Sequence, residues 1–208
     1  MRRTLLVATR NAGKVAELAP LAAAAGFDVR SLDDARIAVD PREDDLEAFD
    51  TFEENALAKA RWFAGRVPGT LVLADDSGLE VSALPGRLGV RSKRWAGHAL
   101  EGQALDDANN AALVAALRDA ADRGARYVCV AAVCDGERAW VARGETGGTI
   151  LAAPRGTNGF GYDPYFRSDE LGITFAEATR EQKAAVSHRG RAVRAVLELL
   201  RQNNRANG

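Results

Sequence analysis

Tyr127-Val128-Cys129-Val130-Ala131-Ala132-Val133-Cys134-Asp135-Gly136-Glu137-Arg138-Ala139-Trp140-Val141-Ala142-Arg143 is the run that fixes the sheet type. An apolar, β-branched stretch reaches Asp135-Gly136, a dipeptide suited to a type I′ turn, and a second strand-like stretch leaves it. The spacing predicts a hairpin of Tyr127–Cys134 against Arg138–Arg143. Antiparallel pairing here excludes a purely parallel sheet. Elsewhere strand and helix patterns alternate, so the expected fold class is α/β, a mixed β-sheet with flanking helices.

Toward the N-terminus, Thr4–Ala8 reads as a buried strand and Thr9–Lys14 as a polar break. Val15, Leu18, Leu21, Ala22 and Ala25 recur at helical spacing, and Gly26 supplies the stop. Phe27–Leu32 reads as a strand, and residues 33–50 as acidic and irregular, with a turn at Asp40-Pro41. Thr51-Phe52-Glu53-Glu54 reads as a reciprocal capping box that opens a helix to about Gly65, with Trp62 and Phe63 toward the core. Residues 70–81 form a strand. Toward the C-terminus, Leu84–Gly102 reads as loop and Leu105–Arg123 as a long helix ended by Gly124. A further strand is expected near Gly148–Leu151, then a glycine-rich loop over Gly156–Pro164 and a helix from about Ser187 to Gln202. With no repeat and no long linker, residues 1–208 read as one domain, its last residues, about 204–208, a tail.

The composition, 47% hydrophobic and 27% charged, fits an ordinary globular protein. A net charge of −1 leaves no broad basic face for a nucleic-acid polymer. The apolar run after Met1-Arg2-Arg3 stops at Ala8, too short for a signal peptide, and no segment approaches the ~18 apolar residues of a membrane span. Cys129 and Cys134 share one strand-like run, which argues against a disulfide framework or a zinc site. The expectation is a cytoplasmic protein without a membrane partner.

Five stretches carry chemistry. In Leu73-Ala74-Asp75-Asp76-Ser77-Gly78-Leu79-Glu80 an apolar strand meets two carboxylates and a Ser-Gly turn. Strand alternation sends Asp75 and Asp76 to opposite faces, so one of them addresses the cleft in which the strand ends. Thr9-Arg10-Asn11-Ala12-Gly13-Lys14 precedes a helix, where free amides and the dipole favour phosphate; it lacks the glycine and Ser/Thr pattern of a Walker loop. Asn55 and Lys59, four apart, share a helix face. In Gly156-Thr157-Asn158-Gly159-Phe160-Gly161-Tyr162-Asp163-Pro164, Phe160 and Tyr162 flank Gly161 and could form a slot for a flat ring, with Asp163 at its edge. Lys183 and Ser187-His188-Arg189 form a late basic cluster, while His98 reads as structural.

Together these motifs resemble the inosine triphosphate pyrophosphatase family, the dITP/XTP diphosphatases. The resemblance rests on Ala8–Lys14, Thr51–Ala56, Ala74–Leu79, Gly159–Pro164 and Ser187–Gly190, which occur in order. It implies an elongated, two-lobed fold with a central cleft, a homodimer, and Mg²⁺-dependent hydrolysis of ITP, dITP or XTP to the monophosphate and pyrophosphate. It implies that Asp76 is general base and metal carboxylate, with Glu47 the second metal carboxylate and Glu43, Asp44 and Asp45 its competitors. Thr9, Arg10, Asn11, Ala12, Gly13, Lys14, Lys59 and Ser77 would hold the triphosphate. Phe160, Gly161, Tyr162, Asp163, Lys183, His188 and Arg189 would surround base and sugar, with donors of His188 and Arg189 reading the 6-oxo group. The alternatives are a hydrolase of modified pyrimidine nucleotides and a non-catalytic nucleotide sensor.

Overall fold

Six strands form one sheet: β1 (Thr4–Val7), β2 (Asp28–Ser31), β3 (Leu71–Val81), β4 (Gly124–Cys134), β5 (Ala139–Ile150) and β6 (Phe166–Ser168), in the order β2-β1-β3-β4-β5-β6. The structure, a computed structural model, describes residues 3–97 and 100–206; His98 and the end of the expected tail lie outside them. β1 pairs in parallel with β2 and β3, in register Leu5 with Val29 and Leu5 with Leu71. β5 and β6 are antiparallel, so the sheet is mixed. The helices are α1 (Ala12–Ala24), α2 (Phe52–Ala64), α3 (Gly102–Ala116), α4 (Arg180–Val186) and α5 (His188–Ala206).

The chain divides into two compact units. The first comprises Met1–Asp76, Cys129–Gly144 and His188–Gly208, the second Ser77–Val128 and Glu145–Ser187. β3, β4 and β5 each run from one unit into the other. In the first unit, alternate strand residues (Leu5 and Val7, Leu71 and Leu73, Cys129, Ala131 and Val133) share a core with Leu18 and Ala22 of α1 and Val193, Val196, Leu197 and Leu200 of α5. The period of two on the strands and of three to four on the helices presents these side chains to one another. Each such Leu or Val contributes about 1.5–3 kcal/mol. In the second unit, Leu79, Leu113, Leu117 and Ile150 pack with an aromatic group. There the Tyr127 and Phe166 rings lie 4.6 Å apart, and those of Phe166 and Phe175 5.1 Å.

The structure differs from the sequence reading in several places, each with a physical cause. Ser77-Gly78 does not turn; β3 runs straight through it. Gly78 is there for close approach, since a Cβ would lie 2.0 Å from the Gly89 carbonyl oxygen. The long helix stops at Ala116, and the Arg123 guanidinium folds back onto the carbonyls of Leu117 (2.7 Å) and Ile150 (2.8 Å). The strand expected near Gly148–Leu151 is the end of β5, where a Cβ on Gly148 would meet the Arg167 carbonyl at 2.5 Å. In the β4–β5 turn Asp135 N–H donates to the Arg138 carbonyl, and Gly136 (φ 102°) but not Glu137 has positive φ, which is not type I′.

The Thr51 hydroxyl accepts from Glu54 N–H, but it also donates to the Glu54 carboxylate, so the cap is not a reciprocal box. Trp62 is only half-buried, with the Arg66 guanidinium 3.4 Å above its ring. Short 3-10 helices occupy Pro41–Glu47 and Gly89–Arg94 within the stretches read as irregular, and α4 adds a helix before the last one.

Candidate active site

In the first unit the double aspartate is the centre of a buried charge network. Mid-strand position, not a strand end, puts both carboxylates inside, and alternation gives them separate partners. Asp75 Oδ2 meets Lys14 Nζ (3.1 Å), Arg189 Nε (3.1 Å) and the Cys129 thiol (3.7 Å). Burial pushes the Asp75 carboxyl up, but Lys14, Arg189 and Lys59 outweigh it and hold the group far below the usual carboxylate range. The same burial, with Asp75 adding, pushes the Cys129 thiol well up, so it stays protonated. Arg189 is engaged on its other side by Glu17 of α1, three residues beyond Lys14.

Asp76 faces the other way. Its Oδ2 accepts from Asn55 Nδ2 (2.9 Å), and its Oδ1 lies 3.5 Å from Lys59 Nζ. The helix pair Asn55 and Lys59 thus lands on one carboxylate, as their four-residue spacing allows. Lys59 Nζ also donates to Glu47 Oε1 (2.9 Å) and the Asp75 carbonyl (2.5 Å). Burial lifts the Asp76 carboxyl above its ordinary value; Lys59 and Lys14 pull the other way, while Glu47 adds to the rise. Burial works against the Lys59 charge, yet Glu47, Asp76 and Asp75 leave that ammonium more basic than usual.

Among the acidic candidates, Glu47 is the one that shares a cation with Asp76. Glu43 is turned to Arg10, whose guanidinium takes both its oxygens (2.8 and 3.0 Å) and also bonds the Ile37 and Ala38 carbonyls at 3.0 Å. Arg10 therefore ties down the acidic segment while remaining exposed. Asn11 caps α1, accepting from Lys14 N–H at 3.0 Å, and Thr9 Oγ accepts from Asn11 N–H at 3.2 Å. Ala12 and Gly13 form the first turn of α1. Ser77 follows Asp76 in β3 and is half-buried, and His188 opens α5, buried.

In the second unit the glycine-rich loop is built around Asp163. Its buried Oδ2 accepts from Phe160 N–H (2.9 Å) and from Lys183 Nζ of α4 (2.5 Å), and Lys183 sits 5.2 Å from the centre of the Phe160 ring. Gly159 is required here, since at φ 76° its Cβ would lie 2.0 Å from Asp163 Oδ2. Phe160 and Tyr162 do not form a two-sided slot. Tyr162 turns into the aromatic core, and its hydroxyl donates to the Ser92 carbonyl at 2.6 Å, leaving Phe160 half-buried. Burial pushes the Tyr162 phenol well up.

Sequence reasoning passed over several members of these clusters. Glu17 could have been found from its shared face with Lys14 on α1. Cys129, which meets Asp75 from β4, carries no such local signal. No helix among the described residues is long and apolar enough to cross a membrane.

The Ham1 family model matches residues 5–199. A dITP/XTP pyrophosphatase of Nitratidesulfovibrio vulgaris is 46% identical over 205 residues, covering 95% of this chain and 96% of that protein. One from Nocardia farcinica is 49% identical over 202 residues, covering 94% of each. The Ham1 protein of Staphylococcus aureus superposes with a TM-score of 0.79 at 33% identity, covering 97% of this chain and all of the other. With the family match spanning nearly every element and the double aspartate inside it, the chain belongs to the Ham1 family.

Proposed function

We propose that the protein hydrolyses ITP, dITP and XTP to the nucleoside monophosphate and pyrophosphate, clearing these purine nucleotides from the cytoplasmic pool. The observation that carries the reading is the Asp76 carboxyl, buried, lifted above its ordinary value and aimed by Asn55 and Lys59. Such a carboxylate is a stronger base than an exposed one and is suited to take a proton from an attacking water. Family membership and relatives whose names specify dITP and XTP supply the substrate class.

Lys14 and Lys59 then face the triphosphate and stabilise charge developing on the departing pyrophosphate, the electrostatic contribution that dominates phosphoryl transfer. Thr9, Asn11, Ala12, Gly13 and Ser77 supply polar and backbone groups along the phosphates. Arg10 contributes through the acidic segment that it holds. Cleavage between the α and β phosphates follows the resemblance to the dITP/XTP diphosphatases.

Mg²⁺ suits this donor set. Glu47 and Asp76 already converge on one cation, the Lys59 ammonium. The described residues contain no group of three or more His, Cys, Asp or Glu side chains able to hold a metal. Mg²⁺ commonly binds through one or two carboxylates plus substrate phosphates and water, so these two residues would hold an ion that arrives with the nucleotide. When bound, it would screen the triphosphate charge.

For base and sugar, Phe160 offers a ring face and Lys183 an ammonium beside it. Tyr162, Asp163 and Arg189 act through contacts within their own units, and His188 stands at the start of α5. A homodimer is the assembly proposed.

The test is a substrate panel of ITP, XTP, dUTP, ATP and GTP with Mg²⁺, scored for pyrophosphate against orthophosphate. Pyrophosphate from ITP and XTP, with ATP turnover lower by ~10⁴ if adenine leaves buried polar groups unpaired, is the expected result. Preferred turnover of dUTP, release of orthophosphate, or binding without turnover would replace this reading with another.

A further inference from the structure

α3 grips the glycine-rich loop at one residue from both sides. Asp106 Oδ2 accepts from Gly161 N–H at 2.8 Å, and Asn110 Nδ2 donates to the Gly161 carbonyl at 2.9 Å. The two side chains are four apart and therefore stacked on one face of the helix. Gly161 sits at φ 62°, a left-handed conformation that must be held in place, and it is the pivot between Phe160 and Tyr162. Asn109, beside Asn110, does the same for the segment before α3, donating to the Lys93 carbonyl (2.9 Å) and accepting from Ala96 N–H (2.7 Å). That segment also carries Ser92, whose carbonyl takes the Tyr162 hydroxyl.

Asn110 is only 6% exposed, and its Oδ1 has no hydrogen-bond partner. A buried amide oxygen without a donor carries an uncompensated desolvation penalty. It is retained where the donor on the same amide has a fixed job. Here that job is the Gly161 carbonyl.

We propose that Asp106 and Asn110 are positioning residues for base recognition: they lock both peptide groups of Gly161 and so fix where the Phe160 ring stands. This rests on the function proposed above, in which Phe160 meets the base. Neither residue touches Lys14, Lys59, Asp75 or Asp76, which belong to the other unit, so their loss acts on nucleoside affinity and not on the chemical step.

Three variants separate this from general destabilisation. Asp106→Ala removes the acceptor, and Asn110→Asp sets an oxygen against the Gly161 carbonyl at nearly unchanged size. Asp106→Asn keeps an amide oxygen for Gly161 N–H. For each, KM and kcat for ITP are measured together with binding of IMP and of pyrophosphate by titration calorimetry. Asp106→Ala and Asn110→Asp are expected to raise KM and the IMP dissociation constant about tenfold, with kcat and pyrophosphate affinity within about twofold. Asp106→Asn is expected to restore wild-type affinity for IMP. Unchanged IMP binding in Asp106→Ala and Asn110→Asp, or equal loss of IMP and pyrophosphate, overturns the proposal. Failure of the wild-type protein to hydrolyse ITP would instead overturn the function on which it rests.

Discussion

Two adjacent aspartates on one strand are held in opposite electrostatic states, and this gives the sharpest single-residue predictions. Asp75 is depressed by three cations, Lys14, Arg189 and Lys59, against its own burial, so its contribution to stability is present above its unfolded value near 3.8 and is lost as pH falls below it. Asp75→Asn leaves Lys14 and Arg189 short of a buried partner and should destabilise the protein by about 3–5 kcal/mol at pH 7. Asp76 is raised, mainly by burial. Its contribution has the opposite sign, complete below 3.8 and lost as pH rises through the elevated folded value. In metal-free buffer at pH 7, Asp76→Asn should therefore melt no lower than wild type, and each kcal/mol gained would raise the midpoint by ~2–4 °C. Thermal melts of the two variants over pH 3–8 check both signs; an Asp75→Asn protein as stable as Asp76→Asn contradicts the assignment.

Elements are where sequence reading succeeded and failed for definable reasons. β1, α1, α2 and the β4–β5 hairpin were legible because periodicity, a cap residue and turn glycines all act locally. Ser77-Gly78 was misread because a glycine that admits a distant backbone looks, in sequence, like a glycine that turns. The same ambiguity hid the continuity of β5 through Gly147-Gly148. At the site, the spacing of Asn55 and Lys59 and the alternation of Asp75 and Asp76 were readable. The pairing of Arg189 with Glu17, far apart in sequence, was not, nor was the inward turn of Tyr162. Gly78→Ala tests the close-approach account. Its Cβ would lie 2.0 Å from the Gly89 oxygen, and that oxygen is backbone. The substitution should cost about 1–3 kcal/mol by forcing the strand and its neighbour apart, measured by chemical denaturation. A change below about 0.5 kcal/mol would show that the contact is easily relieved.

At the scale of the molecule, neither unit is a continuous stretch of chain, and three strands run through both. Residues 1–208 are accordingly proposed to unfold as a single cooperative domain, with calorimetric and van't Hoff enthalpies equal; two separated transitions would contradict that. Asp76 is the central residue of the proposed function. Its most direct test is pyrophosphate release from ITP with saturating Mg²⁺ by wild type and by Asp76→Asn, each verified as folded. The predicted result is a loss of at least ~10² in kcat, the scale of a positioned general base, with the melting temperature retained. Turnover near wild type in the folded variant would contradict the assignment of Asp76 as the base.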